Sequence, residues 1–435
     1  MHKDSPNDKA KERISSLEVE IAELTELIEN PPISEKAIKA GENILKRGNV
    51  LKFLVQQAQR NHIGDTDVIK HLIASTASTN SAKSQGIQPE LNGPKGHGKT
   101  DAVRAVFFLV PGKWKLSASV TAKSLYYYPD MPDGTIIFSD DVEWSKELIA
   151  TVKRSMGSFQ ERQAHVTLDA HREVQEMEMA CRLAWWLSSV ESVADDQVKD
   201  RQYSLDIDEG TDHTKEVSIY LRSSRARKKV RFSLDWRFEV ARYIIGQIKE
   251  HELFRVVIPC ADYADWMIVN DHRTQNKFWD LVEAFAIIRF RQRHIDEDGW
   301  LHATIEDFNE AKTIFMKRRT SHRTHLTNQQ VRLIQTLIRI QGDKGASHAL
   351  LSDEMGVTYQ AVQKTLRAIE SNTPYIIHEL GEHGTKLYHT TAVGLEVAYA
   401  NDNEIVTLPD NYVDPEQGTT LLQPCYNQPY NQYNQ

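Results

Sequence analysis

Cysteine is scarce in this 435-residue chain: Cys181, Cys260 and Cys425 stand far apart, with no C-x-x-C pair. That spacing excludes a disulfide framework and a zinc ribbon, and a reducing cytoplasm fits it best. Long apolar runs are also missing. No stretch approaches the roughly 18 uninterrupted apolar residues of a membrane helix, and the amino terminus, MHKDSPNDKAKER, is charged where a secretory signal is apolar. The sequence therefore predicts neither secretion nor a membrane span. Positive charge is not in excess: the net charge is -8 and the isoelectric point near 6.1. Any contact with a polyanion must then come from local basic patches.

One short stretch carries chemistry. Gly93, Pro94, Lys95, Gly96, His97, Gly98, Lys99 and Thr100 fit the pattern G-x-x-x-x-G-K-[ST], followed by Asp101. Its glycines let successive backbone N–H groups turn around phosphate oxygens, Lys99 neutralises charge, and the Thr100 hydroxyl is placed to ligate Mg²⁺. QGIQPELN before it and DAVRAVFFLV after it suit a strand, a loop and a helix N-terminus; a chance glycine-rich turn is the alternative. ATP and Mg²⁺ are the expected cofactors. Such a loop needs a carboxylate at a strand end. TIIFSDDVEW supplies Asp140 for the metal, 41 positions after Lys99, and Asp141 as the water-polarising base, with Glu143 as its substitute.

The rest of the chain divides by pattern. Residues 1–31 carry Ile14, Leu17, Ile21, Leu24 and Ile28 at spacings of 3 and 4, either a short coiled coil or one docked amphipathic helix. Residues 34–80 read as a small helical domain, 81–233 as an α/β core with a parallel sheet, and 234–320 as mostly helical. In that helical part Phe278, Leu281, Val282, Phe285 and Ile288 form one buried face. Residues 325–395 read as three helices and a two-stranded turn, a winged helix-turn-helix, and 396–435 as a disordered tail closing on YNQPYNQYNQ.

The order of P-loop, TIIFSDD, WWLSSVES, DRQYSLDID, NDHRTQNKFWDLVEAFAIIRFRQR, DEDGWLHATIEDFNEAKTIF and winged helix resembles AAA+ ATPases of the minichromosome maintenance type. It is closer still to the short helicase-like ATPases of archaeal viruses and integrated mobile elements. The resemblance covers roughly residues 80–395 and implies a P-loop AAA+ core with a helical lid, assembled into a hexameric ring in the cytoplasm. It implies that Ser188 and Ser189 stand where a strand tip contacts the γ-phosphate, unless they only cap a turn. Arg201 becomes an arginine finger reaching a neighbour's nucleotide and Arg273 a second arginine sensor from the lid, each otherwise a surface residue. The interval 153–176 becomes a pore hairpin, with Arg162, His165 and Arg172 as DNA contacts.

Two further basic surfaces point to DNA. RSSRARKKVR holds Arg222, Arg225, Arg227, Lys228, Lys229 and Arg231 without an acid, either a phosphate-binding patch or a solvated charge run. In the winged module Val357, just before the third helix, and Val362, Leu366 and Ile369 within it turn inward, leaving Tyr359, Gln360, Gln363, Lys364 and Arg367 outward for a major groove or for a protein partner. Three functions remain open: a ring-forming DNA helicase or translocase for a virus or mobile element, an origin-binding initiator or loader used as an ATP switch, and a scaffold or defence ATPase.

Overall fold

The computed structural model describes residues 32–92, 98–117, 120–128, 130–140, 144–168, 174–188, 196–207, 211–226, 232, 235–266, 272–316, 328–342, 345–372, 375–381, 384–391, 394, 406–409 and 412. Two compact units divide them: residues 1–259 with 279–308, and residues 260–278 with 309–435. No described helix is long and apolar enough to cross a membrane.

The first unit opens with three helices, α1 (Glu35–Arg47), α2 (Val50–Ala58) and α3 (Thr66–Ser78). Ser34 caps α1 and Asn49 caps α2 through their side-chain oxygens. A parallel sheet follows: β1 (Pro89–Asn92), β2 (Lys115–Ser117) and β3 (Ile136–Asp140), with α4 (Lys99–Phe107) between the first two. After α5 (Lys146–Gly157) comes an antiparallel hairpin, β4 (Gln163–Leu168) and β5 (Val174–Met179). Then β6 (Ala184–Ser188), α6 (Asp196–Arg201) and β7 (Tyr203–Asp206) complete the sheet in the order β2-β3-β6-β1-β7, every pairing parallel. Beyond it lie α7 (Thr211–Ala226), α8 (Trp236–Glu250) and β8 (Arg255–Val257).

The tryptophan pair of β6 shows how the sheet is covered. Successive side chains on a strand point to opposite faces. Trp186 reaches α3, donating from Nε1 to Ser75 Oγ at 2.9 Å, and meets Phe107 of α4 at 6.1 Å between ring centroids. Trp185 reaches α5, donating to Ser155 Oγ at 3.2 Å. Both are fully buried. Burial on two faces also explains β7, whose sequence alternates polar with apolar but whose Tyr203, Ser204 and Leu205 are all buried. The helices before β1 pack on this core. α1 lies along α8, with Gly41 against the Tyr243 ring and Tyr243 donating to Glu42 Oε1 at 2.7 Å, while α3 packs on α4 and β1.

In the second unit, β9 (Asp265–Trp266) precedes α9 (His272–Ile288), which runs on into the first unit's residues. The anticipated face of α9 is buried, but so are Ala284, Ala286 and Ile287, so the helix is enclosed on more than one side. The first unit adds β10 (Trp300–His302), parallel to β8, a pairing the helical reading of 234–320 does not contain. α10 (Ile305–Met316) follows. The remaining elements are α11 (Asn328–Ile340), β11 (Ala346–Ser347), α12 (His348–Met355), α13 (Tyr359–Asn372), β12 (Ile376–Leu380) and β13 (Lys386–Thr390). Their core includes Leu337, Leu351, Val362, Leu366, Ile369 and Tyr388, under an antiparallel sheet ordered β11-β13-β12. One correction concerns the tail: β14 (Val406–Thr407) pairs with β9, because the apolar Val406 is fully buried there despite the polar composition around it.

A buried polar knot joins α3, α8 and the start of β3. Lys249 of α8 donates to Gly134 O at 2.8 Å and to Thr79 Oγ1 at 2.5 Å, and burial, reinforced by nearby Arg182, pulls its pKa from 10.5 down to about 7. A lysine whose folded pKa is depressed is bound more tightly to its proton by the unfolded chain, so native stability rises with pH between about 7 and 10.5. Lys249→Met should remove that slope. Its stability relative to the native chain should become more favourable by on the order of a few kcal/mol as pH falls through this window, and stay constant below about 7, read from urea unfolding at each pH.

Candidate nucleotide site

Parallel pairing brings the carboxyl ends of β1, β3 and β6 to one edge of the sheet. Ser188, the last residue of β6, pairs with Leu91 of β1 on one side and Asp140 of β3 on the other, and is buried. At that edge α4 begins. Gly98 caps it at φ 89, a left-handed conformation that glycine adopts without penalty. Lys99 is buried in the first turn. The Thr100 hydroxyl donates to Asp140 Oδ1 at 2.9 Å, so two residues 40 positions apart meet at the helix start. The free N–H groups and dipole of that first turn favour an anion there.

The donor set fits a small divalent cation. Two oxygens on adjacent octahedral positions about 2.1 Å from Mg²⁺ lie about 3.0 Å apart, and Thr100 Oγ1 and Asp140 Oδ1 already have that separation. Few protein ligands suffice, since Mg²⁺ keeps waters and takes phosphate oxygens.

Residues 35–251 match the family described as the MTBMA_p00010 P-loop domain. The chain carries a P-loop domain. The matched stretch takes in the sheet, the helices ahead of β1 and α8. Over 303 residues, 66% of the chain, it is 22% identical to a protein of Methanothermobacter marburgensis named Uncharacterized protein MTBMA_p00010. The chain spans 37% of that relative's length.

Around the P-loop domain the anticipated residues fall in several places. Arg201, at the end of α6, donates to Gln197 O at 3.2 Å and lies over Gly157 of α5. It precedes β7, whose register starts at Pro89↔Tyr203, so it stands on the amino-terminal edge of the sheet, opposite Thr100 and Asp140. Arg162, at the base of the β4–β5 hairpin, donates to Asp133 Oδ2 at 3.2 Å, and His165 packs 5.0 Å from Tyr126. Arg222 and Arg225 are exposed on α7. In the second unit Arg273 is exposed in the first turn of α9, and on α13 Tyr359, Gln360, Lys364 and Arg367 are exposed with Gln363 half-buried. Gly93, Pro94, Lys95, Gly96, His97, Asp141, Glu143, Arg172, Ser189, Arg227, Lys228, Lys229 and Arg231 lie outside the described residues, as do residues 1–31.

Two neighbours of the site escape the sequence reading. Arg104 places Nη2 3.8 Å from Asp140 Oδ2. It sits one helical turn after Thr100, on the same face, a spacing that could have flagged it. His62, from the loop before α3, faces Gly98, and nothing local in the sequence marks it. An exposed ion pair is worth at most about 1 kcal/mol, about fivefold in an equilibrium constant. Arg104→Ala should therefore change the Mg²⁺ midpoint of nucleotide binding by less than about fivefold, whereas Asp140→Asn, which removes a ligand charge, should shift it more than tenfold. Mg²⁺ titration of a fluorescent ATP analogue on each variant measures both.

Proposed function

We propose that the chain is an ATP-hydrolysing motor on DNA, a helicase or translocase assembled as a ring. The observation that carries this reading is the division of polar and charged groups between the two edges of one parallel sheet. Lys99, Thr100 and Asp140 share the carboxyl edge, and Arg201 stands on the other. On this reading the backbone of 93–100 holds the phosphates, Lys99 neutralises them, and Thr100 and Asp140 hold Mg²⁺, which supplies charge neutralisation to the transferring phosphoryl group. Asp141, or Glu143 in its place, orients water, and Ser188 lies beside Asp140 to sense the phosphate. Arg201 then serves only a neighbouring copy's nucleotide, where an arginine finger is worth roughly 10³ to 10⁵ in rate. Arg273 is assigned to the lid as a second sensor.

DNA contact is proposed at three places: the β4–β5 hairpin with Arg162, Arg172 and exposed Val166 and Val174 near its turn; the basic run with Arg225, Arg227, Lys228 and Lys229; and the helices α11–α13 with β11–β13, read as a winged helix-turn-helix. In that module Gly356 ends α12 at φ 65 and Thr358 Oγ1 accepts from Ala361 N at 3.3 Å, so a tight turn leads into α13 and its outward Lys364 and Arg367.

Lys99→Ala and Asp140→Asn should each abolish ATP hydrolysis in a folded chain, and single-stranded DNA should stimulate the native rate several-fold; slow, unstimulated turnover would instead indicate an ATP switch. Arg201→Ala should bind ATP yet fail to hydrolyse it alone, and recover activity when mixed with Lys99→Ala. Near-native turnover by Arg201→Ala would remove the shared-site assembly. Replacing Lys364 and Arg367 together by Ala should lower the slope of log K against log salt for duplex DNA by roughly one unit per lost phosphate contact; an unchanged slope would make the module a protein-binding one.

A further inference from the structure

The loop joining α2 to α3 ends on a buried pair. His62 Nε2 lies 2.7 Å from Asp65 Oδ2, and the two side chains are 6% and 1% exposed. The chain accepts two local costs to make it. Asp65 is left-handed at φ 47, and although it stands at the N-cap of α3 its carboxylate makes no capping bond. A left-handed residue other than glycine costs on the order of 1 kcal/mol, and a forgone side-chain cap about as much again. The loop is held in place regardless, Gln59 Nε2 donating to Gly64 O at 3.2 Å and to Thr66 Oγ1 at 2.9 Å.

Those costs are met where the loop faces the P-loop. A Cβ built on Gly98 would lie 3.4 Å from His62 Cε1, and apart from Gly98 and its chain neighbours no other described residue comes within 4 Å of that position. The imidazole thus closes the space behind the one described glycine of the phosphate cradle. Its other nitrogen, Nδ1, makes no hydrogen bond among the described residues.

We propose that His62, held by Asp65, is a positioning residue of the nucleotide site. Its ring braces Gly98 in the left-handed conformation from which the N–H groups of Gly98, Lys99 and Thr100 face the phosphates. This couples the segment ahead of the sheet to nucleotide affinity, and it rests on the nucleotide reading above. Bracing shapes the empty loop, so it acts on binding more than on the chemical step.

The test is equilibrium binding of a fluorescent ATP analogue to the full chain, with thermal melting and steady-state hydrolysis alongside, for the native protein, Lys99→Ala, His62→Ala and Asp65→Asn. Asn accepts the left-handed conformation and keeps the shape of Asp, so Asp65→Asn reads the pair even where His62→Ala fails to fold. Expected is a Kd about tenfold weaker in both loop variants, with kcat at saturating ATP within about twofold of native. A Kd within twofold of native in the folded loop variants, where Lys99→Ala has lost binding, overturns the proposal alone, whatever the melting temperatures do. Undiminished binding by Lys99→Ala overturns the nucleotide reading and the proposal with it.

Discussion

Because β1, β3, β6 and β7 run parallel, each has its carboxyl end on the same edge of the sheet, and the groups that follow those strands have nowhere else to be. The Thr100–Asp140 contact depends on that polarity. β6 stands between β1 and β3, so the two residues meet only because α4 starts at the mouth of β1 and Asp140 projects from the end of β3 past Ser188. An antiparallel partner at either position would carry one of them to the far edge, roughly 13 Å away over a four-residue strand.

The two edges are held by different physics. At the carboxyl edge Asp140 remains partly exposed and its partners are a hydroxyl and a loosely placed guanidinium, an arrangement that yields to an incoming ligand. At the amino edge the polar groups are enclosed: Arg182 donates to Ser81 O, Ser81 donates to Glu283, Asn80 donates to Ile248 O, and Lys249 joins Thr79 to Gly134. Burial raises the Glu283 pKa and lowers those of Arg182 and Lys249, so this knot costs stability in its charged forms. Satisfied buried networks of this kind fix relative geometry. Here they set where α3 and α8 leave the sheet, and α3 in turn carries the loop that faces Gly98.

Local pattern and long-range contact differed in how far they could be read. The strand of Ile136, Ile137 and Phe138 and the pair Trp185–Trp186 were legible because apolar runs bounded by polar turns have few other uses in a parallel sheet. The inward set on α13, Val362, Leu366 and Ile369, followed from helical spacing alone. β1 was harder, since Pro89, Glu90 and Asn92 have poor strand propensity and are held by neighbours on both sides. The β8–β10 pairing joins short segments more than 40 residues apart, and no local signal specifies such a pairing. His62 and Asp65 fall inside the stretch read as a small helical domain, where nothing in the sequence marks them. What sets them apart is their mutual burial and the placing of His62 beside Gly98, properties of the packed molecule and not of their neighbours in sequence.

Arg201 is the residue for which edge matters most. Its guanidinium lies over Gly157, at the end of α5, and both α6 and α5 deliver it to the side where β7 begins. The sheet itself stands between it and Thr100, and no rotamer of one arginine crosses a strand's length together with the covering helices. A role for Arg201 in phosphate chemistry is therefore a role in another copy of the chain, and a chain acting alone would have to neutralise the developing charge from its own edge. Lys99 and Arg104 are two of the described cations there, one buried at the first turn of α4 and one a turn further on beside Asp140. The first is buried and the second exposed at the surface, so of the two the lysine is the better preorganised toward the phosphates.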